Sequence, residues 1–460
     1  MTTIVSHVQD VREAFANGLT KPLEWRLGQL DALDLLLKQN EDAVAQALRE
    51  DLGKHPAEAY LTEVSTVRNE IAHTRSHLRK WLAPKMIKPS LAVLPATAYT
   101  VLEPLGVALI IAPWNYPVQL LLAPLVGALA AGDAVILKPS ELAPHTSALL
   151  ASLIPKYLDQ RAIRVVEGGI PETTELLEQR FDTIFYTGNG AVARVVMAAA
   201  AKHLTPVTLE LGGKSPTYVD GTADLDAVAK RLAWGKFVNA GQTCVAPDYV
   251  LVTADIRDEL ASKVSSAIVE LYGTDIRGNA EYGRIVNASH FDRLTGLIDE
   301  SNGRVAHGGA HDRADLFIEP TILVDTPRSA PVMSQEIFGP LLPLITVDGV
   351  DDAINYINSG DKPLALYVFS ARKDVRKRFL RDTSSGAITF GLPVAYLAIP
   401  DLPFGGVGES GMGSYHGKRS LEVFSHEKSV VSKPMNPDTM ALAYPPFSAK
   451  KLGILRKLLG

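Results

Sequence analysis

Short apolar runs alternate with helical stretches along the middle of the chain. Runs rich in β-branched residues occur at 107–111, 134–137, 163–166, 183–186 and 207–211. Helical stretches separate most of them, which is typical of a parallel sheet covered by helices on both faces. Such sheets bind ligands at the carboxyl ends of their strands, so the residues there are the first functional candidates: Asn115, Lys138, the 188–190 turn and Glu210.

A second series of the same kind follows Gly213. The pattern predicts helices and strands in alternation, with helices at 224–239 and 257–272 and strands at 248–252, 342–346, 365–369 and 386–389. Before residue 107, apolar residues at helical spacing predict a helix over 64–81, and looser alternation predicts an exposed strand or arm over 91–103. Near the end, the pattern indicates a strand around 429–432 and a short basic and apolar helix over 449–460.

The composition limits the class of protein. The chain has 460 residues, 47% of them hydrophobic and 21% charged, which is enough for two or three globular domains. Its 46 basic and 51 acidic residues give a net charge of −5, which argues against a nucleic acid partner. The N-terminus lacks the basic and apolar segments of a signal peptide, so we expect a cytoplasmic protein.

Cys244 is the single cysteine, which excludes an internal disulfide. A lone cysteine is most often a small buried hydrophobe. This one follows an Asn239-Ala240-Gly241 break after an apolar helical run and lies shortly before Pro247. A loop position before a strand is where catalytic groups are common, and it favours a nucleophile. No signature of a cysteine hydrolase surrounds the thiol, so its chemistry is of another kind.

Each of the other candidates has two interpretations from the residues alone. Glu210 is a surface residue of a strand or a buried carboxyl with the raised pKa of a general base. Asn115 is a turn residue or a donor to an oxyanion, and Lys138 is a solvated strand cap or a ligand. The 188–190 turn is an ordinary strand–helix connection or a phosphate site at a helix N-terminus. The glycines at 406–411 match a dinucleotide pattern outside any βαβ unit, so we predict a structural loop.

Five motifs occur in order along the chain. They are Pro113-Trp114-Asn115-Tyr116-Pro117, Lys138-Pro139-Ser140-Glu141, Leu209-Glu210-Leu211-Gly212-Gly213-Lys214-Ser215-Pro216, Gly241-Gln242-Thr243-Cys244 and Glu336-Ile337-Phe338-Gly339-Pro340. Together they resemble the NAD(P)-dependent aldehyde dehydrogenase superfamily over nearly the whole chain. Segments 243–249 and 403–408 resemble its class 3 branch, which includes fatty and aromatic aldehyde dehydrogenases.

The resemblance implies an α/β fold with two parallel αβα domains and a small β oligomerisation arm. The implied division is a Rossmann-like NAD(P)-binding domain at 1–83 and 102–210, a catalytic domain at 211–420, oligomerisation strands at 84–101 and 421–445, and a tail at 446–460. A homodimer is implied as well. The basic and apolar tail is either a helix packed on the enzyme or a weak contact with a membrane surface, which would add peripheral membrane association to the cytoplasmic expectation.

The resemblance also implies the oxidation of an aldehyde to a carboxylic acid through a thiohemiacetal and a hydrolysed thioester. Cys244 would attack as thiolate, Asn115 and the Cys244 N–H would hold the oxyanion, and Glu210 would activate water. The implied cofactor residues are Trp114, Lys138, Glu141, Gly188, Asn189, Leu211, Glu336 and Phe338. Glu141 favours NAD, although the branch often accepts NADP. No metal is implied. Glu210 argues against a CoA-acylating enzyme, and the intact catalytic set argues against a non-catalytic descendant.

Two departures from the family pattern bear on specificity. Gly190 and Ala193 stand in the phosphate turn where a threonine and a glycine are usual, and Gly391-Leu392 replaces an Asn-Asp pair. The segment after Leu392 is unusually apolar, which predicts a preference for medium- or long-chain aliphatic or aromatic aldehydes. Further candidates for substrate contact are Tyr60, Tyr116, Thr243 and Phe390.

Overall fold

The computed structural model of the chain describes residues 3–459. Within that range the strands are β1 (Lys85–Ile87), β2 (Thr97–Pro104), β3 (Val107–Ile111), β4 (Ala134–Lys138), β5 (Ile163–Val165), β6 (Thr183–Gly188), β7 (Val207–Leu211), β8 (Pro216–Val219), β9 (Tyr249–Thr253), β10 (Arg304–His307), β11 (His311–Asp312), β12 (Phe317–Ile318), β13 (Thr321–Val324), β14 (Leu341–Val347), β15 (Ala365–Phe369), β16 (Ala387–Phe390), β17 (Gly411–Met412) and β18 (Ser425–Ser432).

The helices in the same range are α1 (Ile4–Ala16), α2 (Leu23–Gln39), α3 (Glu41–Leu52), α4 (Pro56–Ala59), α5 (Ser65–Trp81), α6 (Gln119–Ala131), α7 (Pro144–Tyr157), α8 (Ile170–Glu178), α9 (Gly190–Ala201), α10 (Leu225–Phe237), α11 (Ala254–Tyr272), α12 (Ala288–Asp299), α13 (Pro331–Ser334), α14 (Val350–Ser359), α15 (Lys373–Asp382), α16 (Lys418–Val423) and α17 (Ala449–Leu459). A π-helical turn over Tyr60–Val64 joins α4 to α5.

Six strands form the first sheet in the order β17-β7-β6-β3-β4-β5. The last five pair in parallel and lie where the apolar runs predict them, which confirms that part of the prediction. β3, β4 and the apolar helix α6 are buried along their whole length. Helices α1 and α6 both pack against β3 and β4, and α9 packs against β6 and β7, so the sheet is covered as expected.

Seven strands form the second sheet in the order β10-β13-β14-β9-β8-β15-β16. The sequence predicts β9, β14, β15 and β16, and it misses the buried strands β8 and β13. β8 begins with Pro216 and β13 follows Pro320, and each has only four residues. Strands this short, next to a proline, carry too little alternation to be recognised.

The two sheets are connected twice near the end of β7. Residues 212–215 run from β7 into β8, and much later β17 returns to pair antiparallel with β7, with Gly411 opposite Glu210. A Cβ atom at Gly411, where φ is 135°, would lie 2.1 Å from the Leu209 carbonyl oxygen. The pairing therefore requires glycine at position 411, which supports a structural role for this loop. It also adds a strand from the predicted catalytic range 211–420 to the first sheet.

The arm is a three-stranded antiparallel sheet of β1, β2 and β18. β2 begins at Thr97, later than predicted, because residues 91–93 form a 3₁₀ turn and Pro95 has no N–H for a strand ladder. Helix α17 contacts that turn, so the tail packs on the protein. Among the helices of residues 3–459, none combines the length and the apolar character that crossing a membrane requires.

Candidate active site

Cys244 lies in a turn that buried hydrogen bonds hold in place. After α10, Asn239 and Ala240 take left-handed backbone angles, with φ of 52° and 51°, and the chain reverses. The Gln242 side chain is fully buried, and its Nε2 donates to the carbonyl oxygens of Asn239 at 3.0 Å and Arg284 at 2.9 Å. The glutamine of the Gly-Gln-Thr-Cys motif therefore anchors the backbone beside the thiol.

Asn115 faces this turn from the loop between β3 and α6. Its buried side chain donates from Nδ2 to the Gln242 carbonyl oxygen at 3.0 Å. Its own carbonyl oxygen accepts hydrogen bonds from Asn239 Nδ2 and Lys54 Nζ, both at 2.9 Å. A carboxamide nitrogen carries two N–H donors, so one remains for an oxyanion formed near Cys244.

Glu210 lies near the carboxyl end of β7, and its side chain is buried, with 2% of the residue exposed. Burial raises its pKa well above the ordinary range of a carboxyl. Within residues 3–459, neither of its carboxyl oxygens has a hydrogen-bond partner. Such a group is costly to bury, and it is characteristic of sites where proton transfer is the task. The surface interpretation of this glutamate is therefore wrong.

The surroundings of Cys244 disfavour its thiolate. Burial, together with the negative charges of Glu336 and Glu210, raises the pKa of the thiol to about 12. The thiol is therefore protonated at neutral pH in this structure. Forming the nucleophile requires a base or a positive charge in the same cavity.

One cavity of about 680 Å³ connects the thiol with the ends of β4 and β6. It is lined by every residue predicted for catalysis or cofactor binding, namely Cys244, Glu210, Asn115, Trp114, Lys138, Glu141, Gly188, Asn189, Leu211, Glu336 and Phe338. Leu142, Ile170 and Val195 add apolar surface. Its size and its mixture of apolar and convergent polar groups are those of a ligand site.

Glu336 has the features expected of a ribose ligand. Its side chain is half-buried, and desolvation raises its pKa to about 8. Its Oε1 is buried and has no hydrogen-bond partner in the described part of the chain. A Cβ atom at Gly212 would lie 2.2 Å from Glu336 Oε2, so glycine there leaves room for this carboxyl. A carboxyl with an unpartnered oxygen can accept hydrogen bonds from sugar hydroxyls.

Lys138 and Glu141 form a second polar point in the cavity. Lys138 is buried, which lowers its pKa, and its Nζ donates to the Pro139 carbonyl oxygen at 2.7 Å. The same Nζ lies 3.5 Å from Glu141 Oε2, and the Glu141 side chain is 45% exposed. A cation beside a partly exposed carboxylate suits an adenosine ribose with or without a 2′-phosphate.

The 188–190 turn leads from β6 into α9. A Cβ atom at Gly188 would lie 2.2 Å from the Tyr186 hydroxyl, so this close approach needs glycine. Asn189 caps α9, because its Oδ1 accepts a hydrogen bond from the Val192 N–H at 2.9 Å. Both turn residues line the cavity, and a helix N-terminus there suits a pyrophosphate.

The four residues predicted to contact the aldehyde have different surroundings. The hydroxyls of Tyr116 and Thr243 are 2.7 Å apart in a buried hydrogen bond, whereas Tyr60 and Phe390 are 42% and 38% exposed. None of these four residues is among the described residues that line the 680 Å³ cavity. Their contact with a substrate stays a prediction.

The structure also brings residues to the site that the sequence analysis does not single out. The Trp114 ring lies 5.4 Å from that of Phe338 and 5.1 Å from that of His290. Arg293 Nη2 donates to the Ile337 carbonyl oxygen at 2.7 Å. His290 and Arg293 share one face of α12, and both line the cavity. The sequence offered one signal for this pair, the spacing of three residues that places both side chains on one helix face. The same spacing occurs in any amphipathic helix, so it does not identify a functional face.

Comparison with known proteins gives the same picture over the whole chain. A model of the aldehyde dehydrogenase family matches residues 2–430. The chain is 49% identical to the rat (Rattus norvegicus) "Aldehyde dehydrogenase, dimeric NADP-preferring", over 98% of this chain and 99% of the rat protein. It is 47% identical to "Aldehyde dehydrogenase family 3 member H1" of Arabidopsis thaliana, over 98% and 94% of the two chains.

The fold comparison points in the same direction. A solved structure described as "Substrate bound state of Staphylococcus Aureus AldH" superposes with a TM-score of 0.97 at 41% identity, over all of both chains. The family model and the relatives each cover far more than half of the sequence, and the site residues converge on one cavity. The chain therefore belongs to the aldehyde dehydrogenase family, the enzymes that oxidise an aldehyde to a carboxylic acid with NAD(P).

Proposed function

We propose that the protein oxidises medium- or long-chain aliphatic or aromatic aldehydes, with Cys244 as nucleophile, Asn115 as oxyanion donor and Glu210 as general base. The observation that carries this assignment is the meeting of all three side chains at one cavity that also holds the predicted cofactor residues. The unpartnered carboxyl of Glu210 and the remaining N–H of Asn115 each have the hydrogen-bonding capacity that the role needs.

The first step forms a C–S bond. Cys244 attacks the aldehyde carbon as thiolate, and the carbonyl electron pair moves to the oxygen, where Asn115 Nδ2 and the Cys244 N–H donate hydrogen bonds. NAD(P), held by residues such as Lys138 and Glu336, would supply the hydride acceptor, and loss of a hydride from that carbon would leave a thioester on Cys244. Because the leaving group is a hydride, no general acid is needed, and a histidine partner for the thiol is not required.

The second step removes the acyl group by hydrolysis. Glu210 accepts a proton from water, whose oxygen attacks the thioester carbon. The C–S bond then breaks, sulfur leaves as the thiolate, the carboxylic acid departs, and the proton on Glu210 passes to solvent. The raised pKa suits Glu210 to this step, because its carboxylate is a stronger base toward water than an ordinary carboxylate.

We also propose that both NADP and NAD are accepted. Lys138 is a cation that a 2′-phosphate can reach, and the partly exposed Glu141 can turn away from it or accept a hydrogen bond from a 2′-hydroxyl. The name of the rat relative calls it NADP-preferring, which supports binding of a 2′-phosphate near Lys138. Glu141→Gln should raise the NADP-to-NAD ratio of kcat/KM by about tenfold, since it removes one charge repulsion. An unchanged ratio would refute this role of Glu141.

The apolar segment after Gly391 supports the proposed substrate class. Leu392 and Ile399 are 42% and 46% exposed, so the segment offers apolar surface to a hydrocarbon chain. Each methylene buried on such a surface contributes about 0.8 kcal/mol, or roughly fourfold in affinity. We therefore expect kcat/KM to rise steadily from acetaldehyde toward decanal, and a flat series would contradict the proposal.

The deciding experiment follows nicotinamide reduction with purified protein, an aldehyde series, each cofactor, and CoA present or absent. Formation of free acid without CoA supports the proposed function. A requirement for CoA would favour an acylating enzyme, and absence of turnover with folded protein would favour a non-catalytic role.

We further propose a homodimer, as in the relative whose name calls it dimeric, with the exposed strand β18 of the arm at the interface. Light scattering on the intact protein tests this. Contact of α17 with anionic membranes is a weaker proposal, and liposome co-sedimentation unchanged by deletion of 449–460 would end it.

A further inference from the structure

Lys54 and Glu63 form a fully buried ion pair that belongs to none of the sequence motifs. Lys54 Nζ lies 2.5 Å from Glu63 Oε1, and both side chains are 0% exposed. Glu63 is part of the π-helical turn between α4 and α5, in which the Ser65 N–H bonds to the Tyr60 carbonyl oxygen. Such turns cost regular hydrogen bonding and are frequent at functional sites.

Both members of the pair reach the loop that carries Asn115. Lys54 Nζ donates to the Asn115 carbonyl oxygen at 2.9 Å and lies 4.0 Å from the centre of the Tyr116 ring. Glu63 Oε2 accepts hydrogen bonds from the backbone N–H groups of residues 118 and 119, at 2.9 and 3.0 Å. The pair therefore holds the loop at Asn115 and again at the start of α6.

We propose that Lys54 and Glu63 are positioning residues that set the place of the Asn115 carboxamide and hence its hydrogen bond to the oxyanion. The inference rests on the role proposed for Asn115 above. With its carbonyl oxygen bonded to both Lys54 and Asn239, the Asn115 backbone has little freedom to rotate. Its Nδ2 is bonded in turn to the Gln242 carbonyl oxygen, two residues before the nucleophile.

Stability alone is a poor explanation of this arrangement. Removing two charges from water is costly, and well-packed apolar residues often replace a buried ion pair without loss of stability. A loop held by directional charged hydrogen bonds, in contrast, keeps an oxyanion donor within the narrow limits that catalysis requires.

The test uses the double variant Lys54→Met/Glu63→Gln, which removes both charges of the pair. Its glutamine oxygen can still accept the hydrogen bonds at the start of α6. Glu58, whose carboxyl also interacts with Lys54, keeps its hydrogen bond from the Asn239 N–H at 3.0 Å. The matched control is Asp34→Asn, which breaks the partly exposed pair between Asp34 and Arg68, 2.7 Å apart, on α2 and α5.

Four quantities are measured for each variant: kcat and KM for an aldehyde, the NADP dissociation constant, the rate of Cys244 alkylation by iodoacetamide, and its acylation by a nitrophenyl ester. Alkylation forms no oxyanion, whereas the aldehyde and ester reactions do. We expect the double variant to lose on the order of 10- to 100-fold in kcat and in ester acylation. Alkylation and NADP binding should stay within about twofold of the unmodified protein. The control should leave all four nearly unchanged.

Retention of kcat in the double variant would overturn the inference, and so would a loss that alkylation shares to the same extent, which would indicate general damage to the site. If the unmodified protein oxidises no aldehyde, the proposed function fails instead, and the ester reaction still decides whether the pair positions Asn115.

Discussion

The reactivity of the lone thiol follows quantitatively from its surroundings. Burial and nearby carboxyls raise the pKa of Cys244 from an ordinary 9.0 to about 12, a difference of three pH units. At neutral pH its thiolate is therefore about a thousandfold scarcer than that of an exposed cysteine. We expect iodoacetamide to alkylate the free enzyme about a thousandfold more slowly at pH 7.5, with the rate rising tenfold per pH unit up to about pH 10.

A cationic ligand in the cavity should reverse part of this effect. Oxidised NADP has a positively charged nicotinamide ring, whereas the reduced form has nearly the same size and a neutral ring. We expect saturating oxidised NADP to accelerate alkylation at pH 7.5 by about tenfold, because positive charge favours the thiolate. The reduced cofactor should not do so, which makes it the matched control.

Mass spectrometry of the intact protein measures the rate directly, because a chain with one cysteine gives one thiol adduct. Cys244→Ala should give none. A plateau of the alkylation rate below pH 9 in the free enzyme would refute the reasoning, since it would show a thiolate already stabilised without cofactor.

Three other changes have defined outcomes. Glu210→Gln should give one burst of reduced cofactor per active site and then lower kcat by roughly 10²- to 10⁴-fold, because the thioester is no longer hydrolysed. Asn115→Ala should lower kcat by about 10²- to 10³-fold without changing cofactor affinity. Burial raises the pKa of Glu70 from 4.5 to about 7, so the stability that this carboxyl contributes is complete below pH 4.5 and is lost as the pH rises through 7. Relative to the unmodified protein, Glu70→Gln should gain about 3 kcal/mol in the free energy of unfolding between pH 4.5 and 8.

Each of these has a contrary result. A burst followed by undiminished turnover would remove Glu210 from hydrolysis, and loss of cofactor binding in Asn115→Ala would show damage rather than a missing donor. For Glu70, which accepts hydrogen bonds from the Gly417 N–H at 2.8 Å and the Ser420 hydroxyl at 3.3 Å, urea unfolding at both pH values decides. Equal pH dependence in the two proteins would show that Glu70 is ionised normally.

The five parallel strands of the first sheet were predictable because most of their residues are buried on both faces. An uninterrupted apolar run such as β3 can be recognised as a strand from its own residues. Because helices lie between the runs, the pattern also predicts that the strands pair in parallel. β8 and β13 are buried as well, but each has only four residues next to a proline, so they were not predictable. Each is a short buried strand whose stability comes from the strands on either side of it, so the local sequence carries little signal.

The residues of the candidate site likewise fall into those that the sequence predicts and those that only the structure reveals. Asn115, Lys138 and Glu210 follow or end strands that the pattern identifies, so their convergence at one edge was foreseeable. Lys54 lies in the loop between α3 and α4 and Glu63 in the π-helical turn, and both reach the site only through tertiary packing. A lysine followed nine residues later by a glutamate resembles any solvated helical surface, and only the fold reveals that both are buried.

The pairing of β17 with β7 has a consequence for synthesis of the chain. The strand that carries Glu210 is made early, but the segment that covers its edge emerges only after the entire second sheet has been synthesised. A nascent chain that stops before residue 411 leaves the edge of β7 unpaired next to a buried carboxyl, and open strand edges of this kind are prone to aggregate. The strand that carries Glu210 is thus completed only after every strand of the second sheet has left the ribosome.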